Sequence, residues 1–160
     1  MNIVLSKSRQ CKAVRPRNAF MQILQKTLVL TGFSNDSGIM EVVFLDKNKM
    51  IKLNGLHLHH QGVTDVITYD LRDKQENWIP AEEQTQGSIY ICPEVAREAA
   101  EKYNSSFSRE IVLYAVHGLL HLAGEDDLDD AARKSMRAAE KRVMEELDTQ
   151  FDLEQFYQQI

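Results

Sequence analysis

Hydrophobic positions divide the chain into short β-like runs and longer helical stripes. "NIVLS" at 2–6 has the length and composition of a strand. "PRNAFMQILQKTLVLTG" then places Phe20, Ile23, Leu24 and Leu28 at three- and four-residue spacing, with Pro16 near the start and Gly32 past the end. That is the stripe and punctuation of an amphipathic helix. "IMEVVFL" at 39–45 reads as a strand, and Asp46 suits the cap of a short helix, "KNKMIKLNGL". "TDVITYD" at 64–70 is a β-branched strand, followed by a long polar loop, "LRDKQENWIPAEEQTQ". "GSIYIC" at 87–92 is another strand, and Pro93 opens the helix "PEVAREAAEKYN". "SFSREIVLYAVHGLLHLAG" is apolar on most sides, with Ser106 or Ser108 as its cap and Gly124 at its end. "LDDAARKSMRAAEKRVMEELD" is a polar amphipathic helix, and "FDLEQFYQQI" predicts one or two further turns. The order βαβαββααα, without repeat or linker, predicts an α+β fold in one domain spanning 1–160.

Composition narrows the class. At 43% hydrophobic and 27% charged, the 160-residue chain has the balance of a soluble globular protein that can bury a core unaided. The longest apolar runs are far too short to cross a bilayer, and no export signal opens the chain. Cys11 and Cys92 lie far apart and outside any CxxC pattern, which fits reduced thiols and a cytoplasmic location. The net charge of −5 argues against indiscriminate nucleic-acid binding but conceals an asymmetry. Residues 1–35 carry Lys7, Arg9, Lys12, Arg15, Arg17 and Lys26 and no acid, whereas 125–160 carry eleven acids against five bases. The basic end could contact phosphates; its simplest reading is a solvated arm.

The chemistry concentrates in "AVHGLLHLAGEDD" at 115–127. His117 and His121 stand four residues apart, so both imidazoles share one helix face and can reach one cation. A bare HxxxH also occurs in helices that bind nothing. Here Gly124 lets the chain turn back after the helix, and Glu125, Asp126 and Asp127 each offer a third ligand. Asp126 and Asp127 could equally cap the next helix. The spacing approaches the zinc-peptidase pattern HExxHxxGxxH, but Gly118 occupies the place of the glutamate that serves those enzymes as general base.

These residues resemble the YbeY endoribonuclease family, the metal-dependent ribosomal RNA maturation factors of bacteria. The family's HGxLHLxGxDH aligns with "HGLLHLAGEDD". Upstream, "LNGLHLHHQGVTDVITYD" is similar to its LN and T-[DN]-V-L-S-F segments, through Thr64, Asp65, Val66, Ile67, Thr68 and Tyr69. "GSIYICPEVAREAAEKYN" is similar to its GDIVIS strand and following helix. The resemblance covers about 40–146. It implies a small mixed four-stranded sheet with helices packed around it, and a metal site on a central helix and its following turn. It also implies a single-strand-specific endoribonuclease acting in maturation of the small-subunit RNA 3′ end and in ribosome quality control. Its partners would be RNA and ribosomal small-subunit components, with no membrane.

Two departures stand out. The family's third histidine ligand falls on Asp127, giving a His117, His121, Asp127 set for one Zn²⁺ or another divalent transition metal, with a fourth position open. The family's arginine falls on Leu58, which removes the obvious cation for a scissile phosphate. His57, His59, His60 or the N-terminal bases are possible substitutes. The "HLHH" segment itself is better read as lining the cleft than as a second metal site. Glu125, Asp126 and Asp65 are the candidates for accepting a proton from the attacking water, and Asp65 could instead orient a histidine. Three other readings compete. One is a ribosome-associated binding factor with a structural metal, which would be favoured by finding Cys11 or Cys92 on the ion. Another is a zinc peptidase-like hydrolase. The most remote is an Fe(II) site for oxygen chemistry.

Overall fold

The structure is a computed structural model that describes residues 1–33, 36–57 and 65–159. Three parallel strands, β1 (Asn2–Lys7), β3 (Ile39–Phe44) and β5 (Thr85–Ile91), pair in the order β1-β3-β5, and β4 (Val66–Asp70) adds antiparallel to β5. The result is the mixed four-stranded sheet of an α+β protein. Strand β3 alternates buried Met40, Val42 and Phe44 with half-buried residues, so the sheet has two distinct faces.

One face carries the main core. Helix α1 (Arg17–Leu30) contributes Phe20, Ile23, Leu24 and Leu28, the predicted stripe. Helix α4 (Phe107–Leu122) lies across β4 and β5 and is also packed by α3 (Pro93–Lys102) and α5 (Asp130–Asp148). Covered on most sides, α4 buries ten of its sixteen residues, which is why its sequence is apolar nearly all round. The opposite face holds a smaller cluster of Leu45, Met50, Ile67 and Cys92, closed by α2 (Lys47–His57). Asp46 starts α2, accepting the Lys49 amide at 3.0 Å and the Ser8 hydroxyl at 2.8 Å.

Four expectations need correction. Among the described residues, the C-terminal stretch forms no further helix. After a turn, β6 (Tyr157–Gln158) pairs antiparallel with β2 (Val14–Arg15). Burial decides this, because Phe156 packs edge-on against Phe20 with ring centroids 5.2 Å apart. Ser108, considered as a helix cap, instead fastens the tail: its hydroxyl donates to the Leu153 carbonyl at 2.5 Å and accepts the Phe156 amide at 2.9 Å. The N-terminal basic stretch is not a free arm, since β1 and β2 are built into two sheets. Finally, neither Asp126 nor Asp127 caps α5. Asp129 does, accepting the Ala132 amide at 2.7 Å. No helix among the described residues is long and apolar enough to cross a membrane.

Candidate metal centre

The C-terminal half of α4 is fixed against the sheet by two close approaches. A Cβ on Gly118 would lie 2.8 Å from Ile89 Cγ2 and 3.3 Å from Thr68 Cγ2, and a Cβ on Gly87 would meet Leu122 at 2.9 Å. Ser106 caps the start of α4 by accepting the Arg109 amide at 3.0 Å. At the other end Gly124 takes φ +109°. Its amide reaches the His121 carbonyl at 3.1 Å and the Glu125 amide reaches that of Leu120 at 3.0 Å. This paired closure is the glycine-terminated turn expected after a helix. Arg72, from the polar loop, donates to the Leu122 carbonyl at 2.6 Å while held by Asp70, and so adds a cation to the negative end of the helix.

On this platform His117 and His121 stand edge to face, ring centroids 4.6 Å apart. The turn brings Asp127 back beside them. One ligand atom from each of His117, His121 and Asp127 lies within 4.8 Å of the others, and His121 Nε2 is 3.9 Å from Asp127 Oδ2. Two imidazoles and a carboxylate at this spacing are a donor set suited to a divalent transition metal. Glu140 on α5 meets His117 Nδ1 at 2.8 Å. A carboxylate there accepts the Nδ1 hydrogen and leaves the Nε2 lone pair for a cation. Burial pushes the His117 imidazole down, but the Glu140 carboxylate, aided by the charges of Asp65 and Asp127, outweighs it, and the group stands above its ordinary value.

The acids after α4 divide their work. Glu125 accepts the Ser135 hydroxyl at 2.9 Å, tying the turn to α5, and Asp126 accepts the Leu128 amide at 3.2 Å. Arg133 donates to the Asp127 carbonyl at 3.2 Å, steadying the backbone while the carboxylate faces the histidines. Asp65 accepts the Val66 amide at 2.8 Å and lines a cleft of about 480 Å³ shared with His117, Glu110, Arg137 and Glu140. Of Asp65, Glu125 and Asp126, only Asp65 lines that cleft. His117 is contacted by Glu140 through Nδ1, and the Asp65 carboxylate acts on the same imidazole through its charge.

The model of the family described as Endoribonuclease YbeY matches residues 3–148. The chain belongs to the YbeY endoribonuclease family. Among relatives named Endoribonuclease YbeY, that of Staphylococcus carnosus is 33% identical, the match covering 69% of this chain and 72% of the relative. That of Elusimicrobium minutum is 34% identical, over 70% and 76% of the two chains. The solution structure of TM1509 from Thermotoga maritima has the same fold, with a TM-score of 0.58 at 23% identity over 91% of this chain and 88% of that one.

Within this YbeY framework, Leu58, His59 and His60 lie outside the described residues, as does the side chain of His57. Glu140 was missed by the motif reading, although a signal existed. It falls four residues after Met136 and three before Val143, both buried, and is thus an acid on the apolar stripe of α5. Removing it as Glu140→Gln is expected to weaken zinc binding by about 10- to 100-fold, the usual cost of losing the partner of a ligating histidine. The pH dependence should change too. With His117 as a ligand, zinc would compete with its proton, so wild-type affinity is expected to fall as pH drops through the raised imidazole value. In Glu140→Gln that fall begins at lower pH. Zinc titrations with a competing chelator from pH 5.5 to 8 measure both effects.

Proposed function

We propose that this YbeY-family protein is a cytoplasmic, metal-dependent endoribonuclease that cuts single-stranded ribosomal RNA. Its physiological task is maturation of the small-subunit RNA 3′ end and ribosome quality control, in contact with small-subunit components. The observation that carries the reading is the convergence of His117, His121 and Asp127 beside an open cleft, in a chain of this family. The donor set fits one Zn²⁺, which when bound lowers the pKa of water and offsets charge on a phosphoryl oxygen. His117 and His121 would hold the ion through one imidazole nitrogen each, and the contact of Glu140 with Nδ1 of His117 orients that ring. Asp127 supplies the anionic ligand. Asp65, on the cleft wall, accepts the proton as the phosphodiester is attacked.

The competing readings lack support at specific positions. The place of the peptidase glutamate is Gly118, which is sealed against Ile89 and Thr68. Cys11 and Cys92 are buried thiols outside the His117–His121–Asp127 group. The test is cleavage of a labelled RNA carrying single-stranded and duplex segments, with small subunits present and absent. Zinc-loaded protein is expected to cut the single-stranded segment; chelator-treated protein should not, and zinc should restore cleavage. Hydrolysis of a peptide substrate unaffected by competing RNA, with intact RNA throughout, would overturn the proposal.

A further inference from the structure

The cleft beside the metal centre is an unfavourable place for a polyanion. Asp65, Glu110 and Glu140 line it, and Arg137 is its one lysine or arginine among the described residues. Resting on the ribonuclease reading, we propose that Arg137 is a phosphodiester-binding residue, gripping the RNA backbone next to the metal site.

Three observations converge on Arg137. It sits three residues before Glu140 on α5, so the two share a helix face, and Glu140 touches the ligand His117. Its side chain is also uncommitted, being exposed and without a hydrogen bond or ion pair to the described residues. Neighbouring arginines are spent. Arg109 makes a two-pronged contact with Asp148, at 3.0 and 2.7 Å. Arg133 holds Asp130 and the Asp127 carbonyl, and Arg72 holds Asp70 and the end of α4. Finally, Arg137 also lines the adjoining groove, where Lys141 and the Asp148-paired Arg109 join Glu110 and Glu140, so it stands where that groove meets the acidic cleft. A planar guanidinium with unpaired donors matches two phosphate oxygens at once. The arginine that the family carries at the place of Leu58 is absent, and Arg137 supplies the missing charge from a different element.

The experiment compares Arg137→Gln, Arg137→Lys and Lys134→Gln with wild type. Lys134→Gln removes the same charge from an exposed position of α5 outside the cleft. Binding of a single-stranded RNA oligonucleotide is measured on the metal-free full chain at several salt concentrations. Steady-state cleavage, zinc content and thermal midpoint are measured on the zinc-loaded protein. Arg137→Gln is expected to weaken RNA binding and raise KM by about tenfold each. The slope of log affinity against log salt should shrink by about 0.7, one phosphate contact on a single strand. Zinc content and thermal midpoint should stay at wild-type values, Arg137→Lys should recover part of the loss, and Lys134→Gln should match wild type. Wild-type affinity, KM and salt slope in Arg137→Gln would overturn this inference alone, as would an equal loss in Lys134→Gln. A wild type that neither binds nor cuts RNA would overturn the ribonuclease reading and this inference with it.

Discussion

Asp127→Ala is expected to fold normally, to lose its zinc on dialysis, and to cut RNA at least about a hundredfold more slowly than wild type. The expectation exceeds the 10- to 100-fold typical of losing a partner of a ligand, because on the proposed reading the ligand itself is removed. Folding should survive because the carboxylate is half exposed, and what shapes the turn is elsewhere. Gly124 closes the helix, Asp126 holds the Leu128 amide, and Arg133 holds the Asp127 carbonyl rather than its side chain. Elemental analysis of both proteins after identical dialysis gives the result directly. Equal zinc in the two would place the third ligand elsewhere and leave Asp127 without a role at the centre. Asp127→His offers a complementary reading, since it installs the histidine that the family resemblance aligns there. It should retain zinc, and its cleavage should reach the alkaline plateau at lower pH. A neutral ligand in place of an anionic one leaves more of the ion's charge to acidify bound water.

The parts of this site that depend on local spacing could be read from the sequence. HxxxH places two imidazoles on one helix face wherever the helix sits, and a glycine two residues past a helix end announces the turn that returns Asp127. What could not be read depends on elements far apart in the chain. Four aspartates lie in the stretch 126–130, spacing alone pointed to Asp126 or Asp127 as the cap of α5, and only the exit direction after Gly124 selects Asp129. Arg72 reaches the end of α4 from fifty residues upstream, so the polar loop gave no hint of that role. Strands β2 and β6 are two residues each, too short for any alternation to appear, and exist because Phe156 and Leu153 are buried against the core. Glu140 is intermediate: its place on the apolar stripe of α5 was visible, but its partner on α4 was not.

Gly118→Glu, which writes the peptidase glutamate into this chain, is expected to destabilise the fold by several kcal/mol rather than create a protease. The position lies against the sheet. A Cβ meets Ile89 Cγ2 at 2.8 Å and Ile89 Cδ1 at 3.2 Å, both on the central strand β5, before any further atom is added. Forcing extra atoms into a filled core costs about 1–3 kcal/mol. The carboxylate would then sit among Ile89, Thr68 and the rest of α4, where an unpaired charge is costly enough to be expelled or protonated. Either response lifts α4 from β4 and β5, and with it the histidines whose geometry depends on that seat. Gly118→Ala isolates the steric part. Its loss should be smaller, since alanine gains about 1 kcal/mol over glycine within a helix. Urea unfolding of the three proteins, followed by zinc titration, separates the effects. Stability in Gly118→Glu equal to wild type, with zinc still bound, would mean that α4 is not held by this contact. Gly118 would then cease to be a physical argument against the peptidase reading. The expected order, wild type above Gly118→Ala above Gly118→Glu, makes the glycine inside the motif a packing requirement. The same residue that seats α4 on its sheet then also keeps a glutamate base from that position.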